Sequence, residues 1–501
     1  MSVLRKNVIA NFLGQAWGAI MSIIFVPIYL RYLGIEAYGL LGLFVSLKLL
    51  FEILNVGLGA TTNREVALRA AYPEKLNESR NILRTLEVAY TVIGLVVAVT
   101  LCLSSHWIAA KWIISKQIPQ ETVRLAVIIY GITLALQWRV PLYTGVLRGL
   151  EQQVLLNKVK IIFNTFSNVC SVLIIVFISH TITAFLLWQL AMSILEVSLN
   201  SWFAWRGLKS PGKEEMRRAV FDIKIFKQIW RFTAGMSGIS VFALIFKQAD
   251  KLIMSKLLPL ESVGYYNTAN SAVGGMDIFV DPVSKAIFPR FTAIISKGDT
   301  NELASTYHKA SQIMTFVVAP LAGALIFFSY EILLLWTQSQ AIASNGYIAL
   351  SILAFAMMMR AVMSIVFALH FASALTWIPL WNNFMAATLL VPLMYIFIKM
   401  WGVAGGAITM AFFYTASYIV IPPITHRYVL KGSWRDWIFR DTLPFIIISL
   451  AVFGATRIIS NHISSKILIF LLIFLAGIIY AALALTFSKH VREYVKSILK
   501  L

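Results

Sequence analysis

The chain has 501 residues, 59% of them apolar, with 43 Lys and Arg against 22 Asp and Glu, a formal net charge of +21 and a mean hydropathy of +0.79. This composition excludes a soluble protein and indicates a polytopic membrane protein. Its two cysteines, Cys102 and Cys170, lie far apart in apolar stretches, which excludes a disulfide framework and a cysteine metal site.

Apolar runs of about 20 residues, the length needed to cross a bilayer as a helix, recur fourteen times. In chain order they cover Asn7 to Leu30, Tyr38 to Gly59, Leu83 to Leu103, Val123 to Val146, Ile161 to Ile178, Ile182 to Trp205 and Phe232 to Met254. The rest are Val263 to Phe288, Gln312 to Leu334, Tyr347 to Ala372, Ile378 to Met400, Val403 to Ile424, Leu443 to Ile463 and Ile467 to Phe487. The runs are continuously apolar and do not alternate, so the spans are helical and a barrel is excluded. The first run follows Arg5 and Lys6 but exceeds a signal-peptide core and lacks a small-residue cleavage site, so it is expected to stay as the first span.

Loop charges give an independent check on this count. With both termini cytoplasmic, about 29 basic residues fall on the inside and about 8 outside, as the positive-inside rule requires. The strongest inside segment runs from Arg206 to Arg231, and this topology signal over all the inside loops, with attraction to anionic lipid, accounts for nearly all of the net charge without nucleic acid. Within it Gly207, Gly212 and Lys213 mimic the spacing of a phosphate-binding loop. No strand precedes them and Glu214 replaces the Ser or Thr that would hold magnesium, so the segment reads as a linker bent at Pro211 and Gly212. The final Lys489 to Lys500 reads as a basic amphipathic tail on the cytoplasmic surface.

The linker separates two halves, and an internal repeat relates them. Arg31-Tyr-Leu-Gly-Ile-Glu36-Ala-Tyr-Gly39 aligns with Lys256-Leu-Leu-Pro-Leu-Glu261-Ser-Val-Gly264, and the same offset sets Glu52 opposite Asp277. The expected layout is an all-α polytopic membrane protein of about fourteen helices whose two halves form bundles around a central site. Its segments are 1–206, a basic linker 207–231, 232–430, and 431–501.

Six cations lie inside the spans: Lys48, Arg124, Arg139, Lys247, Lys285 and Arg360. Each costs roughly 2.5 to 3.5 kcal/mol near a bilayer centre, so a polar cavity facing something negative is expected. Arg139 and Arg360 lead as anion contacts, having no acidic residue three or four positions away, although Pro141 makes a structural role for Arg139 an equal alternative. Arg124 sits nearer a helix end, where it can snorkel. Lys48 and Glu52 share a helix face and can neutralise each other, as a structural pair or as a gate. Asp277, Asp281 and Lys285 form a polar face interrupted by Pro282, and Lys247, Asp250 and Lys251 form another. Glu52, Asp250, Asp277 and Asp281, with Glu87 and Glu196, are the carboxylates available for coupling or gating. Asn11, Gln15 and Gln137 are uncharged polar residues inside spans, able to hydrogen-bond a ligand or to serve as glue between helices. Most of the Trp residues near span ends are expected to anchor in the interfaces.

Several motifs resemble polysaccharide-unit exporters of the O-antigen flippase type. They are Asn11-Phe-Leu-Gly14, Pro27-Ile-Tyr-Leu-Arg31-Tyr-Leu-Gly34 with Tyr38-Gly39, Gly145-Val-Leu-Arg-Gly149-Leu-Glu, Asp250-Lys251-Leu-Ile with Gly264-Tyr-Tyr266, Phe288-Pro289-Arg290 and Gly402-Val-Ala-Gly405-Gly-Ala. The resemblance spans the chain and implies membership of the superfamily that also holds multidrug extruders and peptidoglycan-precursor flippases, with two pseudo-symmetric six-helix lobes around a central cavity plus a C-terminal helix pair; Asn11, Gln15 and Gln137 are then candidates to bond sugar hydroxyls. It implies movement of undecaprenyl-pyrophosphate-linked oligosaccharide from the cytoplasmic to the periplasmic leaflet of a bacterial inner membrane. A proton or sodium gradient is then the candidate driving force, with no cofactor and no metal, and a polymerase and a chain-length regulator are candidate partners. The alternatives are a multidrug or cation extruder, disfavoured by the six cations, and a membrane polysaccharide polymerase or transferase. The seven His residues are dispersed and the outer loops short, which speaks against an enzyme.

Overall fold

The computed structural model describes residues 3–52, 56–70, 72, 76–208, 219–223, 227, 242, 244–430, 432, 434–463, 465–488, 490–493 and 496. Most of the expected linker and seventh span, and much of the C-terminal tail, lie outside the described residues. The described chain is helical, with no strand beyond one isolated bridge between Ile114 and Pro259.

The helices of the first half are α1 (Val3–Leu33), α2 (Ile35–Glu52), α3 (Val56–Ala70), α4 (Leu76–Trp107), α5 (Gln120–Gln137), α6 (Val140–Gly149), α7 (Gln153–Leu173), α8 (Ile182–Gly207) and α9 (244–257). Those of the second half are α10 (Leu260–Gly274), α11 (Asp277–Lys297), α12 (Thr300–Phe327), α13 (Ser329–Thr337), α14 (Gln340–Ala372), α15 (Trp377–Met385), α16 (Val391–Trp401), α17 (Val403–Thr425), α18 (Trp434–Asp436), α19 (Leu443–Ser460) and α20 (Lys466–Phe487). They form two compact units, residues 1–264 and 265–501.

Eleven helical segments among the described residues are long and apolar enough to cross a membrane. The three remaining expected spans differ for identifiable reasons. The seventh falls largely outside the described residues, while the second and eighth are helical in α2 and α11 but carry Glu36, Lys48 and Glu52, and Asp277, Asp281 and Lys285. Charge sets the second apart, whereas the eighth is also divided between α10 and α11 by a turn at Gly275 and Met276 and carries Asn267, Thr268, Asn270 and Ser271 in its first half.

Lipid-facing and buried faces sort as a bilayer protein requires. On α4, Val92, Leu95, Val96, Val99 and Leu103 are exposed apolar residues on the outer surface, and α20 is similarly covered by Ile467, Phe470, Leu471 and Phe474. In the second unit α14 is the buried axis, packed against α11, α12, α13 and α17 and burying Met357, Met358, Met359 and Met363. The C-terminal pair is tied to this unit by polar contacts. Asp441 accepts from Gln312 (2.6 Å) and contacts His308, Trp437 donates to Ser311 (2.8 Å), Ser449 donates to the Ala319 carbonyl (2.7 Å), and Ser488 donates to Gln312 (2.6 Å).

Within the first unit the internal repeat acquires a structural meaning. A Cβ on Gly39 would lie 2.3 Å from the Leu260 carbonyl oxygen, and a Cβ on Gly264 would lie 2.3 Å from the Ile35 carbonyl oxygen. Gly39 and Gly264 are equivalent positions of the repeat, as are Ile35 and Leu260, so the contact is reciprocal. It brings two helix starts together backbone to backbone, an approach that only glycine permits.

Beside it Glu36, 1% exposed, accepts hydrogen bonds from the Ser115 hydroxyl (2.8 Å) and from the backbone N–H groups of Lys116 (3.0 Å), Gln117 (2.9 Å) and Ile118 (3.2 Å). This buried carboxylate thereby folds the loop after α4 onto the start of α2. The same loop reaches the α9–α10 turn through the Leu260 N–H to the Ile114 carbonyl (2.8 Å) and Trp112 Nε1 to Ser255 (3.0 Å).

Glu36→Ala would strand three amide donors, and a loss of about 3 kcal/mol or more is expected. Gly39→Ala and Gly264→Ala should each cost roughly 1 to 3 kcal/mol through overpacking. Thermal unfolding of the purified protein in detergent checks both. A wild-type transition for either class would show that the contact contributes nothing to stability.

Candidate cavity and its charged lining

Charges that cannot face lipid need water or a partner, and the first unit gathers several of them around an open cleft. A cleft of about 820 Å³ is lined by α1, α2, α6, α7 and α8 together with Leu244 of α9. Its charged lining is Lys48 and Glu52 of α2, Arg148 of α6, Lys160 of α7 and Glu196 of α8. The cations number three against two carboxylates. A recess of about 100 Å³ shares Lys48, Glu52 and Glu196 and adds Gln137 and Trp138, whose buried indole N–H has no partner among the described residues.

Local sequence explains how each helix presents these groups. Lys48 and Glu52 lie one turn apart, so a single face of α2 carries both to the cleft. They do not form the expected pair: among the described residues neither belongs to an ion pair, and Glu196 instead lies within electrostatic reach of Lys48 and Lys160. Residues Gln153, Asn157, Lys160 and Asn164 of α7 recur at steps of three and four, and all four line the cleft. The α5–α6 break also shapes it, for Pro141 near the start of α6 stops the helix ladder and lines the wall with Val140 and Thr144.

α7 is held against α1 by polar contacts along its length. Asn11 Nδ2 donates to Gln153 Oε1 (2.8 Å), and Asn157 Nδ2 donates both to Asn11 Oδ1 (2.6 Å) and to the Gln153 carbonyl (2.8 Å). Further along, Trp17 donates to Thr165 (2.8 Å) and the Tyr29 hydroxyl to Asn168 (2.9 Å). Asn11 is thus glue between helices as well as cavity lining, whereas Gln137, in the recess, donates to Ser193 (2.8 Å).

The other cations expected in the cavity have different places. Arg139 occupies the α5–α6 break, lines neither cleft, and keeps its Nε buried without a partner among the described residues; it lies within electrostatic reach of Tyr143, which donates to Glu87 (2.9 Å). Arg124 pairs with Glu121 (3.0 Å) in the exposed first turns of α5. Lys247 of α9 is exposed and lines neither cleft, while Asp250, 3% exposed, accepts from the Lys251 N–H (2.7 Å).

The second unit has its own open cleft of about 750 Å³, lined by Ser284, Lys285, Phe288, Arg360, Ser364 and Phe367 among others. Arg360 is not isolated. Its guanidinium is paired with Asp277 of α11, and Lys285 pairs with Asp281 one turn away (2.8 Å). Helical spacing could not reveal the first pair, because its partners belong to different helices.

Glu196 is one of the expected carboxylates, whereas Arg148, Lys160 and the amides of α7 and α8 fall outside the expected set because the two cations lie beyond the span ends and the amides carry no charge. The recurrence of polar residues every three or four positions from Gln153 to Asn164 is the signal that identifies them.

Comparison with known proteins sets this geometry in context. Residues 4–295 match the family described as "Polysaccharide biosynthesis protein". A Shigella flexneri protein named "Putative O-antigen transporter" is 22% identical over 337 residues, which is 67% of this chain and 77% of that one. The backbone is similar to the lipid II flippase MurJ in an inward closed conformation, with a TM-score of 0.73 at 15% identity over 97% of this chain and 99% of the other. It is also similar to an inward-facing multidrug resistance MATE family transporter of the MOP superfamily, with a TM-score of 0.64 at 14% identity over 82% and 95%. At these identities the two structures speak to the fold.

If the first cleft is hydrated, cysteines at positions 160, 164 and 196 in a chain lacking Cys102 and Cys170 should react with a water-soluble maleimide. Cysteines at the lipid-facing positions 103 and 474 should not. Equal labelling of both sets would show that the cleft holds no water.

Proposed function

The chain belongs to the polysaccharide biosynthesis protein family, and from that membership we propose that it moves a lipid-linked oligosaccharide across the bacterial inner membrane by alternating access. The substrate class is a polyprenyl pyrophosphate carrying an O-antigen-like repeat unit, passed from the cytoplasmic to the periplasmic leaflet. The observation that carries this reading is the first-unit cleft, where Lys48, Arg148 and Lys160 outnumber Glu52 and Glu196 in a unit whose outer surface is apolar.

The chemistry follows from what must cross. A polyprenyl tail stays in hydrocarbon, while its diphosphate and sugars need a polar path. Lys and Arg supply charge-assisted bonds to the diphosphate oxygens. Lys48, Arg148 and Lys160 take that role in the first unit, and Arg360 and Lys285 take it in the second once their pairs with Asp277 and Asp281 open. Arg139, Arg124 and Lys247 lie off both clefts and are not assigned to the substrate. The surplus of cations in the first cleft disfavours an extruder of cationic drugs.

Coupling to a proton or sodium gradient is assigned to Glu52 and Glu196, which share the recess with Lys48. Occupation of these carboxylates would release Lys48 to the substrate anion. Asp277 and Asp281 are the corresponding groups in the second unit, whereas Asp250 lines neither cleft. Termini on the cytoplasmic side, a basic linker at 207–231 and handover to a polymerase and a chain-length regulator complete the proposal.

In cells lacking the protein, lipid-linked repeat units should accumulate on the cytoplasmic leaflet and be cleared by the wild type. Arg148→Ala with Lys160→Ala should clear them at least roughly tenfold more slowly at equal expression, as loss of charged hydrogen bonds predicts. Periplasmic accumulation of unpolymerised units in the null strain would instead assign the protein to polymerisation.

A further inference from the structure

Beside its cations and the Gln15 amide of α1, the first cleft is lined by five further amides, Asn11, Gln153, Asn157, Asn164 and Asn200. They divide into those already committed to packing and those with bonding capacity left. Asn11 and Asn157 are committed, since Asn11 uses both its oxygen and its nitrogen, and Asn157 donates twice. Gly14 allows this, because a Cβ there would lie 2.3 Å from Asn157 Oδ1.

The other three are not exhausted. Asn164 makes no side-chain hydrogen bond among the described residues. Asn200 donates once, to the Glu196 carbonyl one turn back (2.8 Å), which leaves its oxygen and one N–H. Gln153 accepts from Asn11 and keeps its Nε2. These groups line the cleft from two helices, Gln153 and Asn164 from α7 and Asn200 from α8.

A diphosphate can use only the N–H half of this arrangement. It offers only acceptors, so an amide oxygen gains nothing from it, whereas a sugar hydroxyl or N-acetyl group offers a donor and an acceptor together. The span from Gln153 to Asn164 is about 16 Å along α7 at 1.5 Å per residue, longer than one sugar ring. Lys160 lies within that span, one turn from Asn157 and one from Asn164, so an anion held there sets the first sugar against the amides.

We propose that Gln153, Asn164 and Asn200 are specificity-determining residues that read the saccharide part of the substrate, while Lys160 and Arg148 hold its diphosphate. This rests on the lipid-linked oligosaccharide reading above and adds a division of labour within the same cleft. A site whose polar groups are pre-bonded to their neighbours presents its remaining donors and acceptors at fixed positions, which is how a cavity rejects a saccharide with a differently placed hydroxyl.

Binding to the full-length purified protein tests the division with two probes, a polyprenyl diphosphate alone and the same lipid carrying a tetrasaccharide repeat unit. For Asn164→Ala with Asn200→Ala we expect the saccharide-bearing probe to bind roughly tenfold or more weaker, with less than a twofold change for the bare diphosphate. Arg148→Ala with Lys160→Ala should weaken both probes alike. The single Asn164→Ala variant, at a side chain with no packing bond to lose, keeps the test valid if the double variant fails to fold, and should show the same split at smaller amplitude. An amide variant that binds the tetrasaccharide lipid like the wild type, or that loses both probes equally, overturns the assignment. A wild type that binds neither probe overturns the transport reading itself.

Discussion

A charged side chain inside a hydrocarbon slab has only two stable settings, against an opposite charge or against water, and that constraint organises this protein. Placed in lipid it costs several kcal/mol, more than most packing contacts return. The described residues show the first setting as ion pairs and, for the second, an open cleft on which charges converge. Arg360 meets Asp277, Lys285 meets Asp281, and Lys48, Glu52, Glu196, Arg148 and Lys160 converge on one cleft. The second and eighth spans look unlike membrane helices by composition for this reason. The hydrophobicity missing from them is the polarity present in the clefts.

The rest of the architecture makes that convergence affordable. Helices can present polar residues inward only if their backbones approach closely enough to shield them, and the reciprocal Gly39–Gly264 contact does so at one end of the first unit. The Glu36 carboxylate then folds the neighbouring loop over the same end. Along α7, hydrogen bonds to α1 keep a polar stripe from facing lipid. Packing, capping and cavity chemistry use the same few residue types, Gly, Asn, Gln and isolated charges.

Much of this was legible in the amino-acid order. Apolar run length located the spans, because bilayer thickness imposes a number that no soluble fold shares. The repeat around Glu36 and Glu261 was visible as a spacing, and its meaning, glycine against carbonyl at equivalent positions, needed three dimensions. Partnership was not legible where it crosses helices. Arg360 looked isolated because its carboxylate lies 83 positions away in the chain, and Lys48 with Glu52 looked like a pair because helical spacing reports proximity without orientation. Arg139 drew notice as a mid-run cation, yet the helix break it occupies turns it from the cleft. The α7 amides escaped because uncharged residues scarcely alter hydropathy.

The proposed function requires this chain by itself to carry a saccharide-bearing lipid diphosphate from one leaflet to the other. The direct measurement is translocation of a fluorescent polyprenyl-diphosphate tetrasaccharide in liposomes holding only the purified protein, read by the fraction accessible to an impermeant quencher. The account predicts passage between leaflets well above protein-free liposomes, and reduced passage with Arg148→Ala and Lys160→Ala. Passage no faster than in protein-free liposomes, with and without an imposed proton or sodium gradient, would contradict it.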